Sequence, residues 1–143
     1  MIDPDVLAAR AADVMVTRPK TLPVDATTAE VRDALCDDHV NLVLLVSDDG
    51  VLCGTITRGD VPVDGTDAGG PALVHARLAG RTVAPDAPMA DTHPRLVASG
   101  LRRLAVIAAD GRLLGLLCLK RSGTGYCSDE GVAARAAGHE VPC

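Results

Sequence analysis

The residues best placed to do chemistry stand at the end of an apolar run. In Gly54-Thr55-Ile56-Thr57-Arg58-Gly59-Asp60, a hydroxyl and a carboxylate are three residues apart with an arginine between them. A carboxylate in the first turn after a strand accepts hydrogen bonds from neighbouring hydroxyls, and a threonine at the strand end offers a further hydroxyl beside it. The same aspartate also suits the cap of a helix, the commonest duty of Asp after a strand. Both readings stand, and one side chain can serve both. Thr57 taken alone is an ordinary strand residue.

The other reactive side chains do not converge. Cys36, Cys53, Cys118, Cys127 and Cys143 are odd in number and irregular in spacing, no two of them form a CxxC pair, and His39, His75, His93 and His139 lie apart from them. Neither a disulfide framework nor a zinc site follows from such scatter. No GxSxG motif or phosphate loop occurs, and no histidine or cysteine has a triad companion. The expectation is therefore no catalytic residue, no metal, no cofactor and five free thiols. The cysteines act as small buried hydrophobes, with Cys127 and Cys143 in the tail the more exposed.

Composition narrows the partners. The 143 residues are 48% hydrophobic and 23% charged, which argues for a folded chain with room for one domain or two halves sharing a core. Phe and Trp are absent, Tyr126 is the single tyrosine, and the net charge is −5. Stacking platforms for bases are missing and the net negative charge opposes phosphate neutralisation, which argues against nucleic acid. The longest uncharged apolar stretch, Val40–Val46, is far short of the ~20 residues of a membrane span. Met1-Ile2-Asp3-Pro4-Asp5 lacks the basic and apolar regions of a signal peptide. A reduced, cytoplasmic protein without membrane contact is the expectation.

The elements that must position Thr57 and Asp60 occur twice. A shift of 61 positions brings Thr21 onto Thr82, Asp25 onto Asp86, Ala26 onto Ala87 and Ala29 onto Ala90. It also brings Leu35 onto Leu96, Asp49 onto Asp110, Gly50 onto Gly111, Leu52 onto Leu113 and Gly54 onto Gly115. Each copy reads strand, helix, strand, strand. In the first, Thr21–Val24 is extended, and Thr27 with Glu30 forms a capping box that opens a helix. Val31, Ala34 and Leu35 make its buried stripe. Leu42–Val46 is apolar at every position and reads as a fully buried strand, and Ser47–Gly50 turns the chain into the returning strand Val51–Thr57.

The second copy runs Thr82–Pro85, a helix, Leu104–Ala108, a turn, and Leu113–Leu119. Its Pro94 falls mid-helix on the repeat, where proline costs ~3 kcal/mol, so the expected helix starts late with Thr92 as its cap. Asp3 capping Pro4 opens a helix that runs through Met15 into copy one, and Pro71–Ala79 resumes a helical pattern leading into copy two. Pro62–Pro71, with Gly65, Gly69 and Gly70, is a loop. Ser128 caps a short helix near 129–137.

Asp13-Val14-Met15, Thr21-Leu22-Pro23-Val24-Asp25-Ala26-Thr27 and Asp49-Gly50 through Gly59-Asp60, in this order and in duplicate, resemble a CBS motif. The resemblance covers roughly residues 8–122. It implies an α/β (α+β) fold of tandem CBS motifs packed with pseudo-two-fold symmetry, the pair called a Bateman module. The chain then divides into residues 1–63 (the first motif with its N-terminal helix), 64–71 (a Gly/Asp-rich loop), 72–123 (the second motif) and 124–143 (a tail).

The resemblance further implies that Thr57 and Asp60 hold the ribose of an adenosine-type nucleotide such as AMP or ATP. By the same carry-over Thr21, Leu22 and Ile56 wall the adenine, and Arg58 contacts phosphate, with a solvated surface charge as the alternative for Arg58. Pairing of two modules into a homodimer is implied as well. Copy two departs from the signature, with Cys118 at the Thr57 position and Arg121 at the Asp60 position, so ribose recognition belongs to copy one. Arg121 and Lys120 either answer a phosphate or form a surface basic pair. The function implied is regulatory ligand sensing without catalysis, and the alternative is a ligand-free dimerisation or partner-docking scaffold.

Overall fold

The computed structural model describes residues 4–36, 40, 42–62, 69–120, 123 and 125–127. It is a mixed α/β structure with two separate three-stranded sheets. Two compact units divide it: one is built on Lys20–Gly80, and the other joins the described residues up to Pro19 with those from Arg81 onward.

In the Lys20–Gly80 unit, β1 (Thr21–Pro23) leads to helix α3 (Thr28–Leu35), then to β2 (Val43–Val46) and β3 (Leu52–Ile56). Strand β1 runs parallel to β2, and β3 returns antiparallel, with Thr21 opposite Leu44 and Leu44 opposite Thr55. The capping box forms as the spacing of Thr27 and Glu30 predicts: Glu30 N donates to Thr27 Oγ1, and Thr27 N donates to Glu30 Oε1. Helix α3 lays Val31 and Leu35 on Ala26, Val43, Leu45 and Ile56, the core of this unit. Leu44, whose side chain points to the opposite face of β2, is equally buried, so the uninterrupted apolar run matches burial on both faces.

The other unit repeats the layout with β4 (Thr82–Val83), α4 (Met89–Ser99), β5 (Arg103–Ile107) and β6 (Leu113–Cys118). Its core gathers Val83, Met89, Leu96, Leu104, Val106 and Leu117. Here the helix departs from the sequence reading. It starts at Met89, ahead of Thr92, and Pro94 lies inside it. Met89, Thr92 and Leu96 share one buried face, and Thr92 Oγ1 donates to the Pro88 carbonyl instead of capping the helix start. Burying two large apolar side chains gains ~1.5–3 kcal/mol apiece, enough to offset the proline.

The segments leading into each copy do not form the continuous helices expected of them. The first breaks into α1 (Pro4–Leu7) and α2 (Ala11–Val14), while the second makes only a 3-10 turn at Ala72–His75. Asp3, the expected cap, lies outside the described residues. The breaks have a backbone cause. Met89 N donates to the Ala9 carbonyl and Ala11 N to the Ala87 carbonyl, and Val16 exchanges both backbone bonds with Leu116. In the other unit Thr28 N donates to the Gly70 carbonyl and Ala72 N to the Ala26 carbonyl, and Arg77 exchanges both with Thr55. Every one of these pairs maps onto its counterpart by the same 61-residue shift. The N-terminal segment therefore packs on the second copy, and the segment following the loop packs on the first.

Gly54 and Gly115 explain how these segments come so close. A Cβ on Gly54 would stand 2.4 Å from Ala76 Cβ, and one on Gly115 would stand 2.5 Å from the Val16 carbonyl oxygen and 2.6 Å from Met15 Sδ. The repeated glycine is a docking notch for the leading segment.

The cysteines correct the expectation of five free thiols. Cys118 and Cys127 are joined by a disulfide, Cys36 is also disulfide-bonded, and Cys53 is free. Cys143 lies outside the described residues. Cys118 ends β6, and Cys127 N donates to its carbonyl at 2.7 Å, which sets the two Cα atoms 5.3 Å apart, within the range a disulfide spans. Spacing along the chain carries no sign of this return. Of the expected loop only Pro62 and Gly69 onward are described, and the expected helix near 129–137 lies outside the described residues.

Two outcomes follow. A fragment of residues 1–66 should stay unfolded by circular dichroism, because it lacks Pro71–Arg77 and carries a leading segment whose partners start at Arg81. A fragment of residues 20–80 should retain more native-like signal. Gly115→Val should destabilise the full chain by ~1–3 kcal/mol in urea titration, since Met15 and Val16 must give way.

Candidate functional site

Strand β3 ends at Ile56, and the chain turns at once into a 3-10 turn, Arg58–Asp60. Thr57 is extended at the junction and acts as the cap of that turn. Asp60 Oδ2 accepts from Thr57 N at 2.9 Å and from Thr57 Oγ1 at 3.1 Å. Asp60 Oδ1 faces Arg77 Nε at 3.5 Å, the carboxylate side chain being 7% exposed and the arginine 71%. The structure thus brings together the hydroxyl and carboxylate singled out by sequence, with Thr57 in the cap position and Asp60, the last residue of the turn, bonding back to it. The Arg77 pairing escapes any local reading, because it depends on the docking of Pro71–Arg77 along β3. So does the hydrogen bond from Thr55 Oγ1 to the Arg77 carbonyl.

Arg58 turns toward helix α3. Its Nη2 donates to the Leu35 carbonyl at 2.6 Å, placing a cation at the carbonyl end of that helix. Arg32 reaches across in the same neighbourhood and donates to the Pro62 carbonyl at 2.7 Å. Both guanidinium groups line a cavity of about 280 Å³ together with Leu35, Cys36, Val61 and Pro62.

Of the three residues read as an adenine wall, Ile56 directly precedes Thr57 at the end of β3, and the other two stand on β1. Ile56 is fully buried in the core of its unit. Thr21, exposed, and Leu22, half-buried against that core, stand on β1, and β2 lies between them and β3. Two strand spacings separate the edges, ~9–10 Å.

In the other unit the Thr57 position is held by Cys118, with its disulfide. Lys120 is exposed, and its backbone N donates to the Gly125 carbonyl. Arg121 lies outside the described residues. A larger concavity of about 810 Å³ opens at the other end of this sheet, past β4 and the end of β5, with Thr82, Asp86 and Arg95 as its polar lining. Sequence reading missed it. The available signal was the parallel strand pair joined by a helix, because crevices in such units form at the carboxyl ends of the strands. Among the described residues no cluster of three or more His, Cys, Asp or Glu is arranged to hold a metal ion, and no helix is long and apolar enough to cross a membrane.

Comparison with known proteins fits this geometry. A sequence profile of the CBS domain matches residues 11–61 and 81–121. No curated protein sequence matches the chain significantly. Protein MJ1004 of Mathanocaldococcus jannaschii superposes with a TM-score of 0.63 at 20% identity, covering 76% of this chain and 54% of its own, so the chain spans about half the length of that protein. CBS domain protein PAE2072 of Pyrobaculum aerophilum, solved as a complex with AMP, gives a TM-score of 0.62 at 24% identity over 80% of this chain and 95% of its own. The CBS domain pair of protein MJ0100, solved in complex with 5-methylthioadenosine and S-adenosyl-L-methionine, gives 0.60 at 16% identity over 93% and 99%. With two matched segments covering more than half of its length, each coinciding with a strand-helix-strand-strand repeat, this chain belongs to the CBS domain family.

Proposed function

We propose that the chain is a regulatory module that senses an adenosine-type nucleotide, AMP or ATP or a relative, without catalysing a reaction. The observation that carries this reading is the Thr57–Asp60 pair at the end of β3 in a CBS-domain chain. One oxygen of the Asp60 carboxylate accepts from both Thr57 N and Thr57 Oγ1, which orients the group at the strand end. Arg77 stands at the other oxygen, and its exposed side chain has freedom to move aside for a ribose. Thr21, Leu22 and Ile56 are assigned to the adenine and Arg58 to phosphate, Arg58 giving up the Leu35 carbonyl on binding. The complexes of PAE2072 with AMP and of MJ0100 with two adenosine derivatives support the ligand class.

One observation favours the scaffold reading instead: Leu73, Val74 and Leu78 are 39%, 67% and 39% exposed, an apolar surface suited to a second copy or a docking partner. Homodimerisation and a cytoplasmic setting belong to the proposal on either reading.

Calorimetry with adenosine, AMP and ATP separates the two. A sensor binds at least one of them, and a scaffold binds none. Losing a charge-assisted contact of ~1.5–3 kcal/mol weakens binding about ten- to a hundredfold, which is the loss expected for Asp60→Ala. The same variant should lose in urea at least the ~1 kcal/mol value of a cap, together with the pairing of the 7%-exposed carboxylate with Arg77. Arg58→Ala should weaken AMP and ATP but leave adenosine unchanged. An Asp60→Ala protein that binds as tightly as wild type would show that the ribose lies elsewhere.

A further inference from the structure

The two copies close their third strands by different chemistry. In copy one the chain leaves β3 through the hydrogen bonds of Thr57 with Asp60. In copy two the same register position is Cys118, and the chain runs on, turns at Gly123 and comes back. Lys120 N donates to the Gly125 carbonyl at 2.8 Å, Leu119 bridges Tyr126, and Cys127 N donates to the Cys118 carbonyl at 2.7 Å. A disulfide of sequence separation 9 then seals the open end.

We propose that the Cys118–Cys127 disulfide is a reversible latch that fastens the Gly125–Cys127 segment to the end of β6 and releases it when a dithiol reduces the bond. Among the described residues the segment is otherwise held by a few backbone bonds and by the Tyr126 side chain against His93 and the core. Its backbone bonds to β6 and the strand extension are few, and so short a ribbon is marginal without a covalent tie. Cys118 and Cys127 cluster with Val16 in a small group apart from the main core of the unit, so the core need not open with them.

The exchange balances. A reductant thiolate attacks one sulfur, forming a mixed disulfide, and the Cys118–Cys127 bond breaks, leaving the other cysteine as a thiolate that takes a proton. The second reductant thiol loses its proton and displaces the remaining cysteine, which leaves protonated. Two electrons and two protons pass to the protein, and the reductant becomes a disulfide.

Tyr126 reports the state of the latch, because the chain has no other tyrosine and no tryptophan. When docked, its hydroxyl lies 2.7 Å from His93 Nδ1, its ring meets the imidazole edge-on, and it packs on the core. Burial raises its pKa from 10.0 to about 12.

The test uses the full-length protein with its thiols blocked at harvest. Trypsin cleaves after Lys120 and Arg121, so the latch joins two separate peptides that mass spectrometry identifies independently of the Cys36 disulfide. We expect the linked peptides, their separation by dithiothreitol under native conditions, and their return with oxidised glutathione. In parallel, the Tyr126 titration midpoint should fall from about 12 toward 10 on reduction, and acrylamide quenching of tyrosine fluorescence at neutral pH should rise, with far-ultraviolet circular dichroism retained. Cys127→Ser should behave as the reduced form with or without reductant, and Cys118→Ala is the second variant should that one fail to fold. Failure of the link to form under oxidised glutathione would overturn the proposal. So would an unchanged Tyr126 signal on reduction, or collapse of the whole fold when the bond is cut.

Discussion

Two backbone exchanges hold this protein's architecture together: Val16 with Leu116, and Arg77 with Thr55. Each adds a short extended piece beside the last strand of a sheet, where unpaired N–H and C=O groups would otherwise face outward. The remaining features of the leading segments follow from these contacts. Helical bonding stops at Ala9–Ala11 because those backbone groups are engaged by Ala87 and Met89, and the 3-10 turn at Ala72–His75 gives way to extended chain where Arg77 meets Thr55. Gly54 and Gly115 are glycines because Ala76 and Met15 lie directly over them. The unit of the second copy is therefore discontinuous in sequence, joining the residues up to Pro19 with those from Arg81 onward, whereas the first is built on the single stretch Lys20–Gly80.

The candidate site depends on the same constraint. Thr57 and Asp60 bond to each other locally, but the charge beside the carboxylate arrives on the segment that the Thr55–Arg77 exchange fixes in place. The candidate site and the protection of the sheet edge therefore share residues 71–77. In the second copy the equivalent segment is Arg10–Val16, and the equivalent strand end carries a sulfur where the first carries a hydroxyl. A duplicated scaffold has thus kept its packing while its two strand ends have diverged chemically.

What was legible in the residues themselves was whatever rests on short-range physics. Thr27 and Glu30 announce their capping box because three residues separate a hydroxyl from a carboxylate at a helix start. The run Leu42–Val46 announces a strand buried on both faces because no polar residue interrupts it. Nine identities at one shift announce two units of one kind, and Thr57 with Asp60 announces a polar turn after a strand. The start of α4 was beyond such reasoning, since Pro94 argues locally for a late helix and only the burial of Met89 and Leu96 in a shared core outweighs it.

Tertiary structure alone decided which copy each leading segment serves, because a backbone edge carries no side-chain signature and any extended chain can pair with it. It alone brought Cys127 back to Cys118 and Arg77 to Asp60, since contacts between residues distant in sequence are chosen by the global packing that makes them neighbours. Composition, periodicity and spacing determined that this chain would build two strand-helix-strand-strand units with a hydroxyl and a carboxylate at one strand end. Which groups came to face that carboxylate, and which sulfurs met, were settled by the fold, where the free energy of burying apolar surface outweighs local preference.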